Sequence, residues 1–144
     1  MLVRNKMVPE LYVAHLGRSL DFWVNCLDFT VSYQRPHEKF VYLDKGGVQV
    51  MLAELGAVPR QWLTAPMEPP FGRGINLQIE VDEVAPIIDK LRRAAYPLFR
   101  DCQDAWYRSG TVESGVREFL VQDPDGYLVR LGQSLGERPC KPAG

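Results

Sequence analysis

Histidine and cysteine are scarce. The 144 residues hold two of the first and three of the second. His15 and His37 lie far apart, and Cys26, Cys102 and Cys140 form no CxxC pair, so neither a zinc-finger spacing nor a disulfide framework is visible. An odd number of cysteines without an export signal reads as reduced thiols. Cys26 falls in an apolar helix and reads as core. Cys102 lacks a neighbouring histidine or helix N-terminus to activate it, and Cys140 belongs to a polar tail. Long apolar runs are missing too. Nothing approaches the ~18 residues that a membrane-spanning helix needs, and the opening MLVRNKMV has no apolar signal core. The expectation is a soluble, cytoplasmic chain. Charge of one sign is also missing: 17 basic and 18 acidic residues leave a net charge of −1 with no block of either, which argues against nucleic-acid and membrane partners. No Ser-His-Asp arrangement and no phosphate-binding glycine loop is present; Gly72-Arg73-Gly74 reads as a loop feature. His15, at the entry to the first helix, and His37, in a turn, read as capping and solvated residues.

What is present is a repeat. VPELYVAHL from Val8 aligns without a gap on NLQIEVDEV from Asn76, placing Leu11, Val13 and Leu16 on Ile79, Val81 and Val84. GVQVML (Gly47 to Leu52) lies on GYLVRL (Gly126 to Leu131), so Val50 matches Val129 and Leu52 matches Leu131. Each half reads strand, helix, then three or more strands, a duplication rather than a solenoid. A hydrophobic content of 46% with 24% charged residues fits one globular domain of ordinary size. Within residues 1–144 the reading is module one at about 7–54, a proline-rich connecting loop at about 55–73, module two at about 74–135, and a fraying tail at 136–144.

Alternation predicts a first strand from Val8 to Ala14. Leu20, Trp23, Val24 and Leu27 give Arg18–Leu27 an amphipathic helical stripe, with Trp23 in the core. Strands follow at Thr30–Gln34, Phe40–Asp44 and Val48–Ala53, the last two joined at Lys45-Gly46-Gly47. In module two a strand at Ile75–Val81 precedes a helix at Glu83–Ala94, with Asp82 as its N-cap. Strands are then expected at Leu98–Arg100, Ala105–Ser109, Arg117–Gln122 and Tyr127–Leu131. Asp123-Pro124-Asp125-Gly126 is a strong turn before the last of these.

The same alternation assigns faces. If Leu11 and Val13 lie under the helix, Glu10 and Tyr12 face the other way, as do Asn76, Gln78, Glu80 and Arg130 in module two. Glu10 and Glu80 would be costly to bury alone. Either they form an internal ion-pair network with Arg130, or they are spare acceptors for a cationic or hydrogen-bonding ligand. Trp62 in the connecting loop and Trp106 in a strand supply flat surfaces for stacking; Trp106 packing in the core or at a dimer seam is the equal alternative.

The tandem modules, the Phe22-Trp23 pair and REFLVQDPDGYLVRL together resemble the vicinal oxygen chelate superfamily of glyoxalases, extradiol dioxygenases and bleomycin-resistance proteins. VPELYV, Phe22-Trp23 and the REF run are most similar to the bleomycin-resistance branch. The resemblance implies an α+β fold of two βαβββ modules forming a U-shaped cleft, completed in a homodimer. Chelating members hold a divalent metal at four strand positions, which here carry Val8, Met51, Asn76 and Arg130. That set is not a usable ligand shell, so no metal or other cofactor is expected. The resulting expectation is a non-catalytic protein sequestering an aromatic or glycopeptide-type small molecule through Glu10, Tyr12, Trp62, Asn76, Gln78, Glu80, Trp106 and Arg130. The competing expectation is a lyase, isomerase or dioxygenase with a divergent site, using Glu10 or Glu80 as base and Arg130 to stabilise an oxyanion. A vestigial cleft on a dimeric scaffold is the third.

Overall fold

Alternating apolar residues put β1 (Glu10–Val13) into a sheet with one face covered: Leu11 and Val13 are buried while Glu10 and Tyr12 are only half-buried. The computed structural model describes residues 2–141. α1 (Leu16–Leu20) follows and continues as a π-helical turn, Asp21–Cys26, in which the Leu27 N–H reaches back five residues to the Phe22 carbonyl. The predicted helix is therefore present but widened in its second half. His15 caps it, its Nδ1 accepting from the Arg18 N–H at 3.2 Å. β2 (Thr30–Arg35), β3 (Phe40–Lys45) and β4 (Val48–Glu54) complete sheet one. Its order is β1-β4-β3-β2, with β1 parallel to β4. His37 lies exposed in the short 3-10 turn between β2 and β3.

Module two repeats this plan with β5 (Asn76–Glu80), α2 (Ala85–Arg93), β6 (Leu98–Ser109), β7 (Val112–Gln122) and β8 (Leu128–Pro139) in the order β5-β8-β7-β6. Four expectations are corrected here. The helix begins at Ala85, not Glu83, and Val84 rather than Asp82 is its N-cap, which places Pro86 near the helix start, where its missing N–H leaves no intrahelical bond unmade. The two short strands at 98–100 and 105–109 are one strand, carried past register shifts near Arg100. The strand predicted from Arg117 starts at Val112. Gly136–Pro139 does not fray: it pairs with Val112–Gly115, and Arg138 donates to Glu113 at 2.8 Å. Residues 142–144 of the predicted tail lie outside the described residues.

The chain divides into two compact units, one running up to Arg73 and also taking Asp123–Gly126, the other holding the rest of module two. In the first, Leu11, Val13, Val41, Leu43, Val50 and Leu52 share one sheet face and are buried with Phe22, Trp23, Leu27 and Phe29. Burial of each such side chain is worth about 1.5–3 kcal/mol. The second unit buries Ile79, Phe119, Val121, Val129 and Leu131 with Val84, Ile87, Ile88 and Leu91 of the α2 region.

The Asp123–Gly126 turn is anchored to the first unit. Asp123 Oδ1 accepts the N–H groups of Asp125 and Gly126, and its Oδ2 accepts the Trp23 indole at 3.2 Å. Asp125 receives the Arg18 guanidinium and the Ala14 N–H. The two motifs that carried the resemblance are thus one hydrogen-bonded assembly. The repeat also recurs at the helix entrances. Leu16 N–H donates to Glu54 Oε2 at 3.0 Å, and its counterpart Val84 N–H donates to Gln133 Oε1 at 3.2 Å.

Candidate functional site

Residues paired across neighbouring strands point to the same side of a sheet, so register sorts the open faces. In sheet one, Glu10, Met51, Tyr42 and Tyr33 form one row and Tyr12, Ala53, Phe40 and Arg35 the next. The face is aromatic. Tyr33 and Tyr42 stack at 5.1 Å, and Arg35 lies 3.9 Å over the Phe40 ring. Leu2, Val8 and Met51 pack against Phe40, Tyr42 and Ala53. Gln49 is buried: it accepts the Tyr42 hydroxyl and donates to the carbonyl of Val3. Those bonds hold the N-terminal segment on this face.

The connecting loop closes over the row that contains Tyr12. Gln61 fixes it, donating to the Glu54 carbonyl at 2.8 Å and accepting the Gly56 N–H at 2.9 Å. The Trp62 N–H donates to the Tyr12 hydroxyl at 3.1 Å. Beneath lies a cavity of about 230 Å³, with Glu10, Tyr12, Phe40, Arg60, Gln61 and Trp62 among its walls. Trp62 is 87% exposed although its backbone is tied. Three sequence-predicted site residues, Glu10, Tyr12 and Trp62, are therefore brought together; Phe40, Arg60 and Gln61 were missed. Alternation did not mark Phe40, because Phe40–Leu43 is apolar and buried throughout, and the loop residues had no periodic signal.

Sheet two presents a charged face. Gln78, Arg130, Leu120 and Arg100 form a row across all four strands. Arg130 donates to Gln78 Oε1 at 2.6 Å. Glu118, one row away, is 3% exposed and accepts both Arg100 Nη2 at 2.9 Å and the Tyr107 hydroxyl at 2.6 Å on a single oxygen. Donation to Glu118, reinforced by burial, holds the Tyr107 phenol above its ordinary pKa.

Of the two alternatives for these acids, the ion-pair network is corrected. Arg130 meets an amide, the buried acid is Glu118 rather than Glu10 or Glu80, and Glu80 and Asn76 are exposed. Glu118 was legible, since buried Phe119 and Val121 send it to the opposite face, and the REF run concealed that by its unremarkable polarity. Trp106 is corrected too. It pairs with Gly115, on the face away from Arg130, under the Arg138 guanidinium at 3.9 Å. A Cβ on Gly115 would come within 2.7 Å of the Trp106 ring. Tyr107, the next residue, occupies the site face instead.

The family metal does not fit these residues. Of the four positions that the resemblance assigns to a metal, Met51 packs against the aromatic cluster and Arg130 carries a guanidinium, which only donates and repels a cation. Among the described residues no three His, Cys, Asp or Glu side chains gather as a ligand set. Cys102 is exposed, and its thiol is pushed up by desolvation, opposite to an activated nucleophile.

The profile of the Glyoxalase/Bleomycin resistance protein/Dioxygenase superfamily matches residues 7–131. A superfamily member from Vibrio splendidus 12B01 is 34% identical, over 88% of this chain and 95% of that one, with a TM-score of 0.41. The chain belongs to this superfamily. TioX from Micromonospora sp. ML1 is 21% identical, over 92% of this chain and 100% of its own, with a TM-score of 0.69. A superfamily protein from Alicyclobacillus acidocaldarius is 16% identical, over 91% and 92%, with a TM-score of 0.58. These two likenesses show the fold, the α+β pair of four-stranded sheets expected of the superfamily. No protein of curated function matches the sequence. Among the described residues, no helix is long and apolar enough to cross a membrane.

Proposed function

We propose that this superfamily member is a small-molecule-binding protein that works without a metal and takes a flat aromatic group between Trp62 and the Tyr12–Phe40 surface of sheet one. The observation that carries this is Trp62: its backbone is hydrogen-bonded to Tyr12, yet the residue is 87% exposed while lining the cavity. Folding does not require a tryptophan there, and a fixed backbone lowers the entropy cost of stacking on it. Size constrains the ligand. A cavity of about 150 Å³ holds benzene, so 230 Å³ admits one flat moiety of a larger molecule. Glu10 on the wall favours a ligand that presents hydrogen-bond donors or a cation beside its ring.

Glycopeptide antibiotics of the bleomycin type are the first candidates through the superfamily, and a homodimer, tested by sedimentation equilibrium, is part of the same reading. Calorimetric titration of chelator-treated protein with metal-free bleomycin tests the ligand. Binding near one ligand per subunit, weakened at least tenfold by Trp62→Ala and by Glu10→Gln, is the expected result. No heat at several temperatures rejects that ligand. Affinity untouched by Trp62→Ala rejects the site.

A further inference from the structure

We infer that the open face of sheet two is a receptor for a small-molecule carboxylate, with Arg130 as its principal contact and Arg100 as its neighbour. Two observations converge. Arg130 and Arg100 stand in one row, one on each side of Leu120, with side chains on the same face. Each also has a buried Nε without a hydrogen-bond partner among the described residues. A buried N–H of a charged group left unpaired is costly. Two such atoms in one row point to an acceptor that the protein itself does not supply.

The two arginines are unequally served. Arg100 has the Glu118 carboxylate. Arg130 has only the neutral Gln78 amide oxygen, so one of its five N–H donors is used and its charge is unmatched by direct contact. Glu80, another acid of this face, is exposed to solvent two positions along β5. The Arg100–Glu118–Tyr107 group shows how this surface accommodates a carboxylate: a guanidinium and a hydroxyl both donate to it. A guanidinium edge presents two parallel donors that match the two oxygens of a carboxylate better than a compact halide, and the Glu118 carboxylate already held on this face favours a carboxylate over a phosphate. Binding turns the Nε–Nη edge of Arg130 toward the open face and exchanges one bond to Gln78 for two to the ligand. No covalent step is involved. The inference does not depend on the sheet-one pocket and survives or fails separately from it.

The test is an NMR titration of the full chain that observes the arginine Nε–H resonances. The probes are benzoate, its neutral isostere benzamide, and inorganic phosphate. Saturable movement of the Arg130 Nε–H signal with benzoate, absent with benzamide and weaker with phosphate, is expected. Arg130→Lys keeps the charge but loses the fork, and should weaken benzoate about tenfold; Arg130→Met should abolish it. In Trp62→Ala the Arg130 Nε–H signal should saturate with benzoate at the same concentration, which separates this site from the sheet-one pocket. Absence of a saturable Arg130 shift in the unaltered protein overturns the proposal. So does equal affinity in Arg130→Lys, or tighter binding of phosphate than of benzoate.

Discussion

Glu10 pairs with Met51 in sheet one just as Gln78 pairs with Arg130 in sheet two, so the two halves of the duplication hold matching positions in matching register. What they put there differs. Around Glu10 and Met51 the face is filled by the protein's own rings, Tyr33, Phe40 and Tyr42, with Arg35 and Arg4 lying over them. Around Gln78 and Arg130 the face carries guanidinium groups, a buried carboxylate and donors without partners. One open face is thus partly converted into a second core, while its counterpart remains polar. A duplicated scaffold permits this because each sheet is stabilised mainly by its helix-side layer, which leaves the other face free to diverge.

The largest effect expected from this contrast is on stability. Tyr42→Ala should cost about 3–5 kcal/mol, the range for truncating a buried aromatic, because Tyr42 is 2% exposed, stacked and hydrogen-bonded to Gln49. Arg130→Met should change stability by no more than about 1 kcal/mol in either direction, since it removes an incompletely paired guanidinium and keeps an apolar stem. Urea denaturation of both variants decides the matter. Similar losses would show that sheet two's polar face supports the fold as much as sheet one's aromatic face does.

The turns that join the last two strands of each sheet give the next contrast. Gly47 and Gly126 both have positive φ, +93° and +109°, so alanine at either costs about 1–2 kcal/mol in backbone strain. Around Gly47 a Cβ would meet nothing within 4 Å, whereas at Gly126 it would lie 2.7 Å from the Pro70 Cα and 2.5 Å from its Cβ. Overpacking adds about 1–3 kcal/mol there. Gly126→Ala should therefore lose more stability than Gly47→Ala in the same denaturation assay, and equal losses would show that Pro70 yields freely.

Much of this arrangement was legible in the chain. Period-two alternation placed Leu11, Val13, Val129 and Leu131 in the core and Glu10, Tyr12, Gln78 and Arg130 on the open faces, because a half-buried strand enforces that pattern on every residue. It failed where strand geometry is irregular. The register shifts in β6 leave Tyr107 rather than Trp106 on the site face, and nothing in the composition of Leu98–Gln103 announces them. The cavity under Trp62 was illegible in a different way. Its walls come from a loop held by Gln61 side-chain bonds to backbone groups, which have no periodicity to read. The turn at Asp123 and the Phe22-Trp23 pair were each visible, but their hydrogen bond spans 100 residues and emerges only in the fold.

The smallest expected effect is also the cleanest comparison between halves, because the repeat has already made the substitution. Glu54 accepts the N–H at the start of α1, and Gln133 accepts the equivalent N–H before α2. Glu54 also holds Lys39 at 3.1 Å. The Leu16 N–H first, then Lys39, pull the Glu54 carboxyl below its ordinary range. A depressed folded-state pKa contributes stability that is present above the unfolded value, about 4.3 for glutamate, and is lost as pH falls through the folded value. Glu54→Gln copies the amide of module two, so it should keep the hydrogen bond and cost only about 0.5–1 kcal/mol at neutral pH, from the lost ion pair and charge at the helix start. Below pH ~4 the variant and the unaltered chain should converge in stability. Denaturation midpoints measured from pH 7 down to the acid limit would show this convergence. A gap that stays constant across that range would mean that Glu54 acts only through its shape, as Gln133 does.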